Sequence, residues 1–253
     1  MLKNWKTMGS DPQFIIPEWP APACIRAVST TRTGGFSAAP WDSFNLGSHV
    51  GDDPQQVGQN RQRLADWTGI PVAGFRFMDQ VHGIGFTELP GELPLQADGC
   101  VTSQPRVPCL VMAADCLPVL FCNRAGTRVA AAHAGWRGLC QGVLEQAVAQ
   151  FDDPADLMAW LGPAIGPEQF EVGAEVREAF LEKDPEAHKA FVPGAAAGHF
   201  LADLYSLARR RLTSAGVSEI YGGHWCTFSD PKRFFSYRRD GMTGRMASLI
   251  FID

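Results

Sequence analysis

The chain has 253 residues, 45% of them hydrophobic, enough to bury one substantial core, so a single domain is the default reading. A formal charge of -5 and an isoelectric point near 5.7 exclude a broad basic face that would release counterions from nucleic acid, and favour a small-molecule substrate. Residues 1–20 hold Lys3, Lys6, Asp11 and prolines but no apolar run long enough for an export signal or a membrane span, so no membrane is expected and the expected location is cytoplasmic.

Residues 1–20 read as an N-terminal extension and 21–253 as one domain, because no repeat, low-complexity block or linker divides the rest. Residues 24–31 (CIRAVSTT) are β-rich. The stretch 31–47 (TRTGGFSAAPWDSFNLG) has too much Gly, Pro and Ser for a regular element and predicts a long loop of the kind that often carries function. Asp53 as N-cap and Pro54 in the first turn open a helix over 54–68, which Gly69 terminates. Short apolar runs between turn signals predict neighbouring core strands at 74–78, 99–103, 107–113, 118–122 and 128–133. GLCQGVLEQAVAQF (138–151) places Leu139, Val143, Leu144 and Val148 on one face, the spacing of a helix packed on a sheet. Beyond it come a strand at 157–162, helices at 174–183 and 202–216, a loop at 193–200, and strands near 218–225 and 246–252. This mixed order predicts an α+β (mixed α/β) layered domain. The seven cysteines, at 24, 100, 109, 116, 122, 140 and 226, form an odd set without CxxC spacing and lie mostly in apolar runs, the pattern of reduced thiols.

Three residues with metal-binding chemistry interrupt this apolar framework where strands should end: His82 in MDQVHG, Cys116 in AADCLP and His133 in AAHAGWRG. Imidazole nitrogen and thiolate suit Zn²⁺, and three protein ligands leave a fourth tetrahedral position for water or substrate. Such a centre supplies a hydroxide nucleophile at neutral pH. The separations of 34 and 17 residues match no short metal signature. Taken singly, a His at a strand end or a buried Cys more often serves structure.

The blocks STTRTGGFS (29–37), FNLGSHVGDDP (44–54), NRQRL (60–64), MDQVHG (78–83), AADCLP (113–118), AAHAGWRG (131–138), GPAIGPEQFEVG (162–173) and FFSYRRDGMTGRMASLI (234–250) closely resemble the laccase-domain, or multicopper polyphenol oxidase-like, family. Its bacterial members include purine nucleoside phosphorylases and a peptidoglycan editing factor. The resemblance implies zinc on His82, Cys116 and His133, which are also the expected catalytic residues, and a mixed β-sandwich with flanking helices. The implied activities are phosphorolysis of adenosine, inosine, guanosine and methylthioadenosine by phosphate, with adenosine deamination beside it.

The remaining block residues each admit two readings from their chemistry. Backbone N–H groups of Gly135, Trp136, Arg137 and Gly138 can face an anion, or the two glycines simply permit a tight turn. Arg61, Arg137 and Arg238 are candidate substrate contacts through their guanidinium forks, as is Arg239, against the commoner surface role of arginine. Phe234, Phe235 and Tyr237 offer faces for a purine, although an FF pair in a β-rich segment is usually core. Asn45, Gln80 and Asp115 can orient a base, a ribose or a ligand histidine, or else serve turns.

Other readings share these residues. Six histidines without an HxH pair are few for a multicopper polyphenol oxidase, yet a His₂Cys set can hold one copper. Cys116 with His133 can form a metal-free Cys-His hydrolase. The resemblance also admits a hydrolase that edits cytosolic peptidoglycan precursors.

Overall fold

The structure, a computed structural model, describes residues 14–91 and 96–253; residues 1–13 of the extension lie outside the described residues. Its centre is a pair of face-packed sheets. The first has the order β1 (Phe14–Ile15), β2 (Ile25–Thr30), β13 (Met246–Ile252), β5 (Cys109–Ala113), antiparallel throughout. The second has six strands in the order β12 (Glu219–Gly222), β8 (Leu157–Leu161), β6 (Leu117–Asn123), β7 (Val129–Ala134), β4 (Gly99–Thr102), β3 (Phe86–Glu88), with parallel pairs at its two edges. A separate antiparallel sheet joins β10 (Phe191–Pro193), β11 (His199–Ala202) and β9 (Glu171–Gly173).

Alternation along each strand sorts its side chains between two cores. Ala27, Cys109, Val111 and Ile250 from the first sheet meet Cys100, Leu120, Ala131 and Trp160 from the second. The outer faces are covered too. Val28, Leu110, Leu249 and Phe251 pack under Leu64 and Ala65 of α1 (Pro54–Thr68). Val119, Phe121, Ala130 and Ala132 pack under Leu139, Val143, Leu144 and Val148 of α2 (Trp136–Gln141) and α3 (Val143–Val148), with α4 (Ala174–Lys183) and α5 (Leu204–Ser214) alongside. Both faces being buried explains why β5 and β7 read as unbroken apolar runs rather than as alternating ones. The result is the layered mixed β-sandwich with flanking helices.

Several boundaries differ from expectation. Residues 74–78 are not a strand: a 3₁₀ turn at Val72–Gly74 leads into irregular chain whose Phe75 and Met78 are buried, so the apolar alternation there anchors a loop. The helix expected at 138–151 starts at Trp136 and breaks at Gly142, whose φ of 108° ends α2 before α3 begins. The loop at 193–200 shrinks to the tip of the β10–β11 hairpin. Phe14 pairs with Thr30 and stacks on Trp67 at 3.8 Å, so part of the N-terminal extension belongs to the first sheet.

The long loop over 31–47 is ordered by buried polar contacts. Asn60 of α1 donates to Ser37 Oγ and to the carbonyls of Ser43 and Asn45, and accepts from the Phe36 N–H. Gly35 sits so close to the returning chain that a Cβ there would lie 2.1 Å from the Ser43 carbonyl oxygen and 2.4 Å from Phe44 Cα. Backbone cannot yield as a side chain can. Gly35→Ala is therefore expected to lower stability in urea titration by about 1–3 kcal/mol. Gly58→Ala, on the open face of α1 with nothing within 4 Å, should raise it by up to about 1 kcal/mol.

Candidate metal centre

Strand pairing and one loop bring the three ligands together. Opposite Ala134 of β7 stands Leu117 of β6, which sets Cys116, at the end of the β5–β6 turn, beside His133. That turn passes through Asp115 at φ 96°, a conformation held by its carboxylate, which accepts from Thr227 Oγ1 at 2.5 Å and from the Arg238 N–H at 2.7 Å. His82 lies at φ 62° in the loop before β3, which runs beside residues 96–99: Gly85 O accepts from the N–H groups of Asp98 and Gly99. The ligand atoms of His82, Cys116 and His133 all fall within 4.8 Å of one another. Cys116 Sγ is 3.7 Å from His82 Nε2, and the two imidazole rings are 4.9 Å apart at 75°. Metal bonds of about 2.0–2.3 Å place two tetrahedral ligands roughly 3.3–3.7 Å apart, so these donors need only small movements to close on one ion.

Asp98, absent from the sequence-derived candidates, organises the set. Its carboxylate is fully buried and accepts four hydrogen bonds. Oδ1 takes His133 Nδ1–H at 2.9 Å and the His82 N–H at 2.9 Å; Oδ2 takes the N–H groups of Gly83 at 2.7 Å and Val81 at 3.2 Å. Giving the Nδ1 proton to Asp98 leaves His133 Nε2 with its lone pair toward the centre. Burial alone would raise the Asp98 carboxyl, but the bonds from His133, Gly83 and His82 outweigh it and hold the group below the usual carboxylate range. Without metal, Cys116 and His133 support each other's charge. Burial opposes a thiolate, yet the neighbouring imidazolium and hydrogen bonds draw the Cys116 thiol down to about 6. Burial likewise opposes the imidazolium, and Cys116 and Asp98 carry the His133 ring up to about 9. An incoming cation would meet a ready thiolate and displace one proton from His133.

The glycines of HAGWRG admit the His82 loop. A Cβ on Gly135 would stand 2.8 Å from His82 Cδ2 and 3.1 Å from Cys116 Sγ, and one on Gly138 would stand 2.6 Å from the Gly83 carbonyl oxygen. Arg137 is exposed, with its guanidinium 4.5 Å over the Trp136 ring, and does not line the cleft. Two nitrogens and one thiolate converging where no Cβ intrudes fit a single zinc ion.

The ligands form part of the wall of a cleft of about 610 Å³. Met112, Ala113 and Ala114 flank them; Ser48, His49, Arg61 and Arg245 contribute a polar region; Phe77 and Tyr237 supply aromatic faces, and Asp79 a carboxylate. Arg61 lies 3.7 Å over the Phe77 ring. Gln80 reaches the wall, but its amide is engaged by the Met112 backbone in both directions, at 2.8 Å each, and so fixes the end of β5. Asn45 is fully buried, its Oδ1 accepting from the N–H groups of Gly47 and Arg245. Arg238 donates its guanidinium to the Glu171 carbonyl, off the cleft wall. Phe234 and Phe235 are core, while Tyr237, 62% exposed, stands at the rim. His49 and Arg245 are not among the sequence candidates, although they lie inside the blocks FNLGSHVGDDP (44–54) and FFSYRRDGMTGRMASLI (234–250).

Known proteins resemble this chain over most of its length. Residues 26–253 match the family described as multi-copper polyphenol oxidoreductase laccase. A purine nucleoside phosphorylase of Pseudomonas aeruginosa is 54% identical over 240 residues, 94% of this chain and 98% of that protein. The purine nucleoside phosphorylase YfiH of Escherichia coli is 53% identical over 243 residues, 95% and 99% of the two chains. The crystal structure of a Neisseria meningitidis protein superposes with a TM-score of 0.90 at 49% identity, covering 95% of this chain and 99% of that one.

Two outcomes test the centre. Metal-free protein at pH 7 should be alkylated by iodoacetamide at Cys116 ahead of the fully buried Cys109 and Cys122, whose thiols burial pushes upward, and added zinc should protect Cys116, as peptide mapping by mass spectrometry would show. Asp98→Asn turns an amide N–H₂ toward groups that are themselves donors, and should weaken zinc binding about 10–100-fold in chelator competition.

Proposed function

The chain belongs to the multi-copper polyphenol oxidoreductase laccase family, and from that premise we propose that it is a zinc-dependent purine nucleoside phosphorylase acting on adenosine, inosine, guanosine and methylthioadenosine, with adenosine deaminase activity at the same site. The observation that carries the proposal is the convergence of His82, Cys116 and His133 on the wall of one cleft. About 610 Å³ lies within the range of small-molecule sites, roughly 300–1,000 Å³. Relatives that share about half of the residues over nearly the whole chain carry the name purine nucleoside phosphorylase. Among the described residues this is the one group of three or more His, Cys, Asp or Glu side chains placed to hold a metal, a donor set for one ion rather than for a multicopper relay. Thiolate ligation and seven free cysteines suit the reducing cytoplasm, and no helix among the described residues is long and apolar enough to cross a membrane.

When bound, zinc supplies Lewis-acid polarisation of an oxygen ligand. The protein's own part is positioning. Asp98 orients the His133 imidazole and clamps the backbone that carries His82, and the Asp115 turn fixes the thiolate, so the centre is largely set before substrate arrives. Phe77 and Tyr237 give the purine its apolar faces. In phosphorolysis an oxygen of hydrogen phosphate bonds to ribose C1′ as the bond from C1′ to the purine nitrogen breaks. The electron pair leaves with the base, and the proton of hydrogen phosphate ends on a purine nitrogen. Asp79 is the carboxylate on the cleft wall able to relay it. For deamination, water replaces the 6-amino group of adenine and ammonia departs, with Asp79 in the same proton-carrying role.

His82→Ala, Cys116→Ala and His133→Ala should each lose bound zinc and slow phosphate-dependent hypoxanthine release from inosine by about 100-fold or more, with far-UV circular dichroism retained. Chelation of the wild type should do the same, and zinc should restore it. Undiminished turnover in all three variants would overturn the proposal. Release of an amino acid from a peptidoglycan precursor by a wild type inert toward nucleosides would replace it.

A further inference from the structure

The cleft carries two guanidinium groups that form no ion pair among the described residues. Arg61 of α1 and Arg245, just before β13, both line it and are both half-buried. Neither has a carboxylate oxygen within 4.0 Å among the described residues, whereas Arg32, Arg128, Arg210, Arg211 and Arg239 all do. Backbone carbonyls hold both side chains still. Arg61 Nε and Nη2 donate to Leu46 O at 3.1 and 2.9 Å, and Arg245 Nη1 donates to the carbonyls of Thr243 and Gly244, each at 3.1 Å. Arg61 Nη1 and Arg245 Nε and Nη2 have no hydrogen-bond partner among the described residues. Fixed, half-buried guanidiniums with unused N–H groups and no carboxylate oxygen within 4.0 Å are the arrangement that an oxyanion completes.

The platform beneath them is the segment 45–49. Asn45 Oδ1 accepts the Arg245 N–H at 2.8 Å, Leu46 N–H donates to Arg245 O at 3.1 Å, and a Cβ on Gly47 would stand 2.8 Å from Arg245 Cγ. Ser48 and His49 follow directly and line the same cleft. His49 lies in the field of these arginines: burial first, then Arg245, lower its pKa, with a smaller push from Arg61, while Asp79 works the other way. Burial also lowers Arg245, against the opposing charges of Cys116, Asp115 and Tyr237.

We infer that Arg61 and Arg245, with Ser48 and His49 beside them, form a subsite for a phosphate oxyanion in the same cleft as the metal centre. The inference rests on the phosphorolysis proposed above, for which this subsite holds the attacking phosphate. The same chemistry would also take the 5′-phosphoryl group of a nucleotide, and the test separates these sources.

Zinc-loaded wild type, Arg61→Lys, Arg61→Ala and Arg245→Ala are titrated with inorganic phosphate and, separately, with inosine 5′-monophosphate by calorimetry, with zinc content measured on each sample. Phosphorolysis of inosine is followed in parallel. The expected result is a phosphate Kd weakened about 10-fold or more in both alanine variants, with zinc content unchanged. The KM for phosphate should rise similarly while the KM for inosine moves less than about 3-fold, and Arg61→Lys should retain part of the affinity. Arginine-dependent binding of the nucleotide without binding of inorganic phosphate would keep the subsite and assign it to a phosphoryl group. Phosphate affinity unchanged in both alanine variants would overturn the subsite and leave the phosphorolysis reading standing if turnover persists. Arginine-dependent phosphate binding by a wild type that releases no base would overturn that reading and leave the subsite. Because the two arginines sit on different elements, misfolding of one variant still leaves the other to decide.

Discussion

One buried carboxylate sets the geometry of the centre. An ionised Asp98 inside a dry sandwich would be costly if its lone pairs went unmatched. Here one imidazole and three consecutive backbone N–H groups match them. The same four bonds orient one ligand ring and clamp the loop that carries the other. Two ligands from distant parts of the chain therefore depend on a single charge, and the third is set by an analogous device at Asp115. Both acids exchange a desolvation cost for directional bonds, which is how a metal centre acquires rigidity from neighbours that never touch the ion.

The sandwich explains why the centre lies where it does. The neighbouring strands β6, β7 and β4 start or end at the same end of the six-stranded sheet, where Cys116 and Asp98 immediately precede β6 and β4 and His133 is next to last in β7. There the ladder of backbone hydrogen bonds gives out and polar side chains replace it. The interior of the sheet, by contrast, is mostly apolar on both faces.

Much of this was legible in the residues. Polar interruptions of apolar runs identified His82, Cys116 and His133, because a histidine or cysteine closing a core strand is conspicuous against its surroundings. Layering followed from the order of strands and helices. What stayed hidden depends on tertiary contact. Asp98 is a lone acid before a short strand, and nothing local says that four donors converge on it. Asn45 and Gln80 looked like substrate contacts because amides are versatile; their partners, Arg245 and Met112, lie 200 and 32 residues away. The alternation in 74–78 matched a strand, yet without a neighbour to complete the ladder it became an anchored loop. Arg245 stayed unremarked since its exposure to the cleft comes from the platform under it, built from residues near position 46.

The position of β13 bears on how the protein is born. This strand, formed from residues 246–252, lies between β2 and β5, and β5 leads straight into the Cys116 turn. A ribosome delivers the three ligands well before it delivers the strand that completes the sheet beneath them. Until then the incomplete sheet exposes the unpaired edges of β2 and β5, and the thiolate has no settled frame. The frame behind the Cys116 turn is therefore complete only once the last strand has been made.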